Sequence, residues 1–405
     1  MTNNFSREMP PVTHLNTSNV DIEKLQNIKS RDITKTSVNY VMLNYDAEML
    51  CNNDTIRGLY NAVVLDPVTR KILSIGTPKS YEYSTFKTMH PTPENIIAEE
   101  MIEGVSIQLF YDHRKNDWEI STRNSVSGKY SYYRMKETTS PTYRDMLLDF
   151  IDVLSLNEWD ILEKLPKENC YHFILQHPDN HIVLKNEKAN LYFTGYYELH
   201  VNGTINDIRY IPSYNCVDTF PCLKEKICFP NIYSETIDSY DECCKMYNTY
   251  SADQMGICLL NKNTGDRSFV INAHYQELQQ LRGTHPNLMY QYICLRRIDK
   301  VKDFLKHFSQ YKQTFWKFHE MYEKMIVELH QNYLQHFILK TKPVVDKKYY
   351  YHIRQIHETI YKPSLQEDKK VIVKKEIVRK YVLALEPGSI LHLLQYEKYK
   401  QENLV

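Results

Sequence analysis

Hydrophobic and polar positions along this chain follow two different periods, and the change falls near Gly283. Between about Ser37 and Gly283 the apolar residues come in short β-rich runs. Examples are Tyr40-Val41-Met42-Leu43, Ala62-Val63-Val64-Leu65, Val105 to Tyr111, Tyr171 to Leu175 and Gly256 to Leu260. Each run is flanked by Asp, Asn, Gly, Pro or Thr, residues that break a strand or open a turn, so each predicts a short strand. One stretch, Tyr143 to Leu165, repeats at helical spacing instead, with Met146, Leu147, Phe150, Ile151 and Leu154 on one side. Many strands with few helices predict an α+β body dominated by antiparallel sheet.

After Gly283 the spacing is helical. From Val301 to Lys340 the seam reads Phe304, Phe308, Tyr311, Phe315, Phe318, Tyr322, Met325, Leu329, Tyr333, Phe337, with no proline or glycine in those 40 residues. This predicts one or two long amphipathic helices with an aromatic core seam, ended by Pro343. A second helical block covers about Lys347 to Tyr361 and Asp368 to Leu385. Pro387-Gly388 breaks the chain, and a last helix covers about Ser389 to Tyr399. Residues 1–36 are polar and carry Met9-Pro10-Pro11, which reads as a poorly ordered tail or a short extended arm. The expected organisation is therefore an arm over 1–36, a β body over 37–285 and an all-helical domain over 286–405.

Composition narrows the classes. Of 405 residues 42% are apolar and 25% charged, enough to bury a core and to exclude wholesale disorder. No apolar run approaches the roughly 18 residues of a membrane-spanning helix, and no basic-then-apolar leader opens the chain, so neither a membrane segment nor a secretory signal is expected. Only 10 residues are glycine, and no Gly-rich phosphate loop or dinucleotide fingerprint is present. The net charge of zero hides an asymmetry: residues 286–405 carry 22 Lys+Arg against 13 Asp+Glu, a net of +9, which leaves −9 on residues 1–285. Two readings stand for the basic third, an electrostatic footprint for nucleic acid or a solvated helical surface that docks on the acidic body. Nine cysteines with no leader imply reduced thiols. Cys216, Cys222 and Cys228 have five residues between members, wider than the usual zinc pairs, so buried or loop thiols are expected and no metal site.

Several blocks then occur in a fixed order. Thr55-Ile56-Arg57-Gly58 precedes Val63-Val64-Leu65-Asp66. Ser74 to Ser80 holds a Pro78-Lys79 pair. Met101-Ile102-Glu103-Gly104-Val105-Ser106-Ile107 follows, then Trp118 to Ser125, then Phe173-Ile174 with Pro178-Asp179-Asn180-His181-Ile182-Val183. Gln254-Met255-Gly256-Ile257 and Phe269-Val270-Ile271-Asn272, trailed by Tyr275, close the series. Collinear over about 230 residues, these blocks resemble the motifs of phage-type RNA ligases, members of the covalent nucleotidyltransferase superfamily. Leu281 to Pro286 and the helical region resemble the RNA-ligase-like proteins of large cytoplasmic DNA viruses, African swine fever virus among them. The resemblance implies a nucleotidyltransferase-like antiparallel β body followed by an all-helical C-terminal domain, and a location in host cytoplasm or virion.

In that family a lysine amine attacks the α-phosphorus of ATP, and further lysines and magnesium neutralise the growing charge. On these motifs the nucleophile position is Met101. The metal- and ribose-binding carboxylates fall on Ile174 and Met255, and the last two lysines on Val270 and Asn272. All five are neutral, which implies a catalytically inactive fold with no catalytic residue, no metal site and no cofactor. The alternative is an active ATP- and magnesium-dependent RNA ligase using a displaced lysine, Lys79 first. Possible residual nucleotide or phosphate contacts are Arg57, Glu103 and Arg123. Glu103 could instead be a strand-end carboxylate paired with an arginine, and Arg123 could be that partner. Lys347, Lys348, Lys369, Lys370, Lys374 and Lys375 supply cations for nucleic acid, with tyrosines to stack on bases. The partners expected are RNA or DNA, or protein subunits of a viral transcription or packaging assembly.

Overall fold

A computed structural model describes residues 13–16, 40–45, 57–131, 141–153, 164–180, 182–202, 205–216, 227–234, 237–248, 253–341, 346–365 and 371–402. The chain divides into two compact units, Met1–Gln279 and Gln280–Val405.

The first unit is built from fourteen described strands. In chain order they are β1 (Thr13–Asn16), β2 (Val41–Leu43), β3 (Val63–Leu65), β4 (Ile72–Ser74), β5 (Ile96–Glu100), β6 (Val105–Asp112) and β7 (Asp117–Thr122). There follow β8 (Ser125–Val126), β9 (Asn169–Gln176), β10 (Asn190–Asn202), β11 (Ile205–Pro212), β12 (Ile232–Ser234), β13 (Gly256–Asn261) and β14 (Arg267–Ile271). Helices α1 (Tyr83–Met89), α2 (Tyr143–Val153), α3 (Tyr240–Asn248) and α4 (Ala273–Arg282) are interspersed, and the division between units falls within α4. The strands form a seven-stranded sheet in the order β1-β11-β10-β9-β6-β7-β8, a four-stranded sheet β12-β5-β13-β14 and a three-stranded sheet β2-β3-β4. Every ladder among them is antiparallel. The fold is the α+β, antiparallel type that the alternating runs imply.

Alternation explains why β6 and β9 sit at the centre. Ile107, Leu109 and Tyr111 of β6 join Tyr171, Phe173 and Leu175 of β9, Trp118 and Ile120 of β7, and Met146 and Phe150 of α2 in one core. The opposite face of β6 is buried too, because Phe110 packs with Tyr40, Met42 and Val64. In the four-stranded sheet, Ile96, Ala98, Ile257 and Leu259 pack on Phe86 of α1 and Tyr240 of α3. Residues 13–16 of the polar arm form β1, an edge strand on β11.

The second unit is helical: α5 (Leu288–Arg297), α6 (Val301–His307), α7 (Lys312–Tyr333), α8 (Lys347–Ile356), α9 (Lys375–Ala384), α10 (Pro387–Leu394) and α11 (Tyr396–Glu402). Its seam is the aromatic one, with Phe315, Tyr322, Met325, Ile326, Leu329 and Tyr333 of α7 buried. The Val301–Lys340 stretch is two helices, within the one or two expected, and the later boundaries at its end and at Pro387 differ from expectation. The helix breaks over Phe308–Tyr311 without Pro or Gly, through a non-helical Phe308 (φ −111°, ψ 57°). A π-helical turn, Leu334–Ile338, follows α7, and Lys340, at positive φ, lies beyond it; Pro343 lies outside the described residues. Pro387 opens α10 at its first position rather than breaking the chain, since its missing N–H has no partner to lose there.

Candidate functional site

Four of the five neutral motif positions, Met101, Met255, Val270 and Asn272, come together at one end of the β5, β13 and β14 strands, and the fifth, Ile174, lies on β9. Met101 follows β5 directly, and its N–H donates to the Gly256 carbonyl at 3.0 Å. Met255 precedes β13, and its carbonyl accepts the Asn272 N–H at 3.0 Å. Val270 stands opposite Ile257 in the ladder and packs on the apolar cluster of Phe86, Ile96 and Leu259. Ile174 of β9 lies over Gly104, where a Cβ would come within 2.6 Å of its Cγ2. Gly104 therefore serves close packing of β9 on the segment after β5. Gly256 adopts φ +153°, which side chains rarely tolerate, and a Cβ there would collide with the Val270 carbonyl.

Asn272 is 1% exposed and caps α4: its Oδ1 accepts from His274 N at 2.9 Å, and its Nδ2 donates to the Gln254 carbonyl at 3.1 Å. Thioether, aliphatic and amide groups at these five positions present no carboxylate oxygen and no ammonium. Magnesium wants hard oxygen donors, so the residues present do not fit an ATP–magnesium pair. Among the described residues no group of three His, Cys, Asp or Glu could hold a metal.

Glu103 follows neither sequence reading. It is 2% exposed and turned inward. Its Oε1 accepts from Ile182 N at 2.9 Å, and its Oε2 accepts from Val183 N at 3.0 Å and from Tyr275 Oη at 2.6 Å. Leu184 N reaches both oxygens at 3.2 Å. A carboxylate so filled by backbone donors is neither offered to a ribose hydroxyl nor paired with arginine. It fixes the Ile182-Val183 end of the Pro-x-Asn-x-Ile-Val segment and ties it to α4. Asn180, 5% exposed, closes the turn before it through its N–H to the His177 carbonyl at 2.9 Å.

Arg123 is exposed, with its guanidinium 5.2 Å from the centre of the Tyr45 ring, so it stacks on a tyrosine rather than pairing with Glu103. Arg57 starts a 3₁₀ turn, Arg57–Leu59, and its side chain lies outside the described residues. Lys79 is half-buried after β4, where its N–H donates to the Gly58 carbonyl at 3.0 Å. Of the six helical-unit lysines, Lys347 and Lys374 are exposed, while Lys369 and Lys370 lie outside the described residues. Lys348 stands 3.9 Å from Glu328 and Lys375 3.8 Å from Glu323, so these two are partly neutralised rather than free for phosphate. Cys51 and Cys222 lie outside the described residues. Cys216 and Cys228 are free thiols, the first buried and the second exposed.

Sequence reasoning missed a polar cluster on the same strands, in which Glu99 and Arg267 are half-buried and His172 is buried. Glu99 of β5 stands opposite Cys258 of β13, near Arg267 of β14, whose guanidinium lies 4.9 Å from the Tyr210 ring centre. Burial pushes the Glu99 carboxyl up to about 7, although Arg267 pulls it back. His172 of β9 is 1% exposed. Its Nε2–H donates to the Ile75 carbonyl at 2.6 Å, and its Nδ1 accepts from Thr77 Oγ1 at 3.1 Å. Burial drives its pKa down to about 3, so it stays neutral. Alternation assigns Glu99 and Arg267 to a strand face, and only the second layer of structure determines whether that face meets water.

Comparison with known proteins gives the following. No family model matches the chain. A search of curated proteins finds the immediate-early protein ICP-46 homolog of Invertebrate iridescent virus 6, 26% identical over 151 residues, covering 35% of this chain and 33% of that protein. The match spans about a third of the curated relative. Among solved structures, an RNA ligase of Naegleria gruberi with PPi matches at TM-score 0.37 and 10% identity, over 51% of this chain and 58% of that one. An archaeal ATP-dependent RNA ligase matches at TM-score 0.38 and 10% identity, over 58% of this chain and 56% of that one.

Proposed function

We propose that this chain is a viral RNA-ligase-like protein whose nucleotidyltransferase body has lost its chemistry. It acts as a nucleic-acid-binding subunit through its basic helical unit, in host cytoplasm or virion. One observation carries the first half: all five motif positions are neutral, four of them meet at one strand end, and the acid two residues after Met101, Glu103, spends its oxygens on three backbone N–H groups and a tyrosine. Nucleotidyl transfer needs an amine nucleophile and cations for the equatorial oxygens, and Met101, Val270 and Asn272 supply neither. The second half rests on the net +9 of residues 286–405.

The test is incubation of the purified full chain with α-labelled ATP and magnesium or manganese. No label should survive denaturation. Met101→Lys alone should also stay unlabelled, because the groups act as a unit. A stoichiometric acid-labile adduct, abolished by Lys79→Ala, would establish the alternative: an active ATP-dependent ligase with a displaced lysine.

A further inference from the structure

The helical unit holds a cavity of about 490 Å³ between α5, α6, α7 and α9. Its aromatic lining is Tyr292, Phe315, Trp316 and Tyr322. Trp316 is 65% exposed although it sits in the best-packed helix of the unit. The helical period gives the seam to Phe315, which is 2% exposed, and turns Trp316 off it. Tyr322 is 1% exposed, and the Arg296 guanidinium stands 4.3 Å from its ring centre.

The charged groups are graded by depth. Inside, Arg296 donates to Tyr292 Oη and His319 Nδ1, each at 3.0 Å, and to Glu323 at 2.9 Å. Arg379 donates to the other Glu323 oxygen at 2.6 Å. Glu323 thus balances and orients two guanidinium groups. On the exposed part of the wall, Lys302 and Lys312 form no ion pair among the described residues, and Asp299 is the one carboxylate that lines the cavity. An exposed indole beside a wall of tyrosine, histidine and arginine, with two ammonium groups that form no ion pair among the described residues, matches a flat ring with a hydrogen-bonding edge and flanking anions.

We infer that this cavity takes an unpaired base of a single-stranded nucleic acid, stacked on Trp316, with adjoining phosphates at Lys302 and Lys312. The inference rests on the nucleic-acid half of the function proposed above and adds the site and the strandedness. A duplex hides the base faces that an indole would need, whereas every unpaired base presents one.

The experiment uses the full chain, a fluorescein-labelled adenosine 12-mer RNA, and the same strand in a duplex with its uridine complement. Anisotropy is read from low to moderate salt. The single strand should bind more tightly than the duplex. Trp316→Ala should weaken the single strand about tenfold or more, with the far-ultraviolet dichroism unchanged. Lys302→Ala with Lys312→Ala should lower the log–log salt slope by about 1.4, as two single-strand phosphate contacts would. Wild-type binding that Trp316→Ala leaves intact would overturn the site and spare the nucleic-acid reading. No binding of either form at low salt would overturn both. Displacement of the strand by AMP at equal molar concentration, or by poly-glutamate as readily as by unlabelled RNA, would overturn the assignment to a single strand.

Discussion

The two oxygens of Glu103 are occupied by Ile182, Val183 and Leu184 N–H groups and by Tyr275 Oη. Replacing it by alanine leaves those donors buried without an acceptor. Each such group costs about 1–3 kcal/mol, so Glu103→Ala should lower stability by on the order of 4 kcal/mol. Tyr275→Phe removes one of the four donors and should cost about 1–2 kcal/mol. Urea titration of the full chain measures both, and an alanine variant as stable as wild type would show that the carboxylate is not the anchor of this loop. The same logic covers Asn272, whose side chain caps α4 and holds the Gln254 carbonyl.

Within α7 two neighbouring faces carry different duties. Leu329 is fully buried in the seam, and Trp316 stands 65% exposed beside the cavity. Leu329→Ala should destabilise the helical unit by about 2–5 kcal/mol, the transfer cost plus the cavity left behind. Trp316→Ala should change stability by no more than about 0.5 kcal/mol, as surface substitutions do. Thermal unfolding of the two variants side by side checks the contrast. A large loss for Trp316→Ala would mean that the indole is structural, and its effect on strand binding would need another explanation.

For the whole molecule, the buried His172 and the half-buried Glu99 of the first unit set opposing pH slopes. His172 has a folded pKa of about 3 against an ordinary 6.5, so below about 6.5 the unfolded chain binds the extra proton and stability falls with falling pH. Glu99 has a folded pKa raised to about 7 from 4.5, so between those values the folded chain binds the extra proton and stability falls as pH rises. Each slope is at most about 1.4 kcal/mol per pH unit, and the two oppose each other between 4.5 and 6.5. Relative to His172→Gln, wild type should lose stability as pH drops from 6.5. Relative to Glu99→Gln, it should lose stability as pH rises from 4.5 towards 7. Guanidinium titrations at pH 5, 6 and 7 supply the differences, and parallel curves for all three proteins would refute the linkage.

Periodicity by itself determined the kinds of element and the change from sheet to helix. β6 and β9 were legible because alternating residues are large and apolar, and the α7 seam because its aromatics recur at helical spacing over many turns. α1, α3 and α4 were not legible, because they are short and lean on a sheet face rather than on their own period. β10 and β11 also escaped: their tyrosines, Glu198 and Arg209 blur the alternation, and their ladders with β9 and β1 hold them. Of the candidate site, the neutral side chains at five motif positions could be read directly, because identity is a property of sequence. The meeting of four of them at one strand end, the inward turn of Glu103 and the ion pairs of Lys348 and Lys375 are properties of distance. Only the tertiary structure decides which donor reaches an oxygen first.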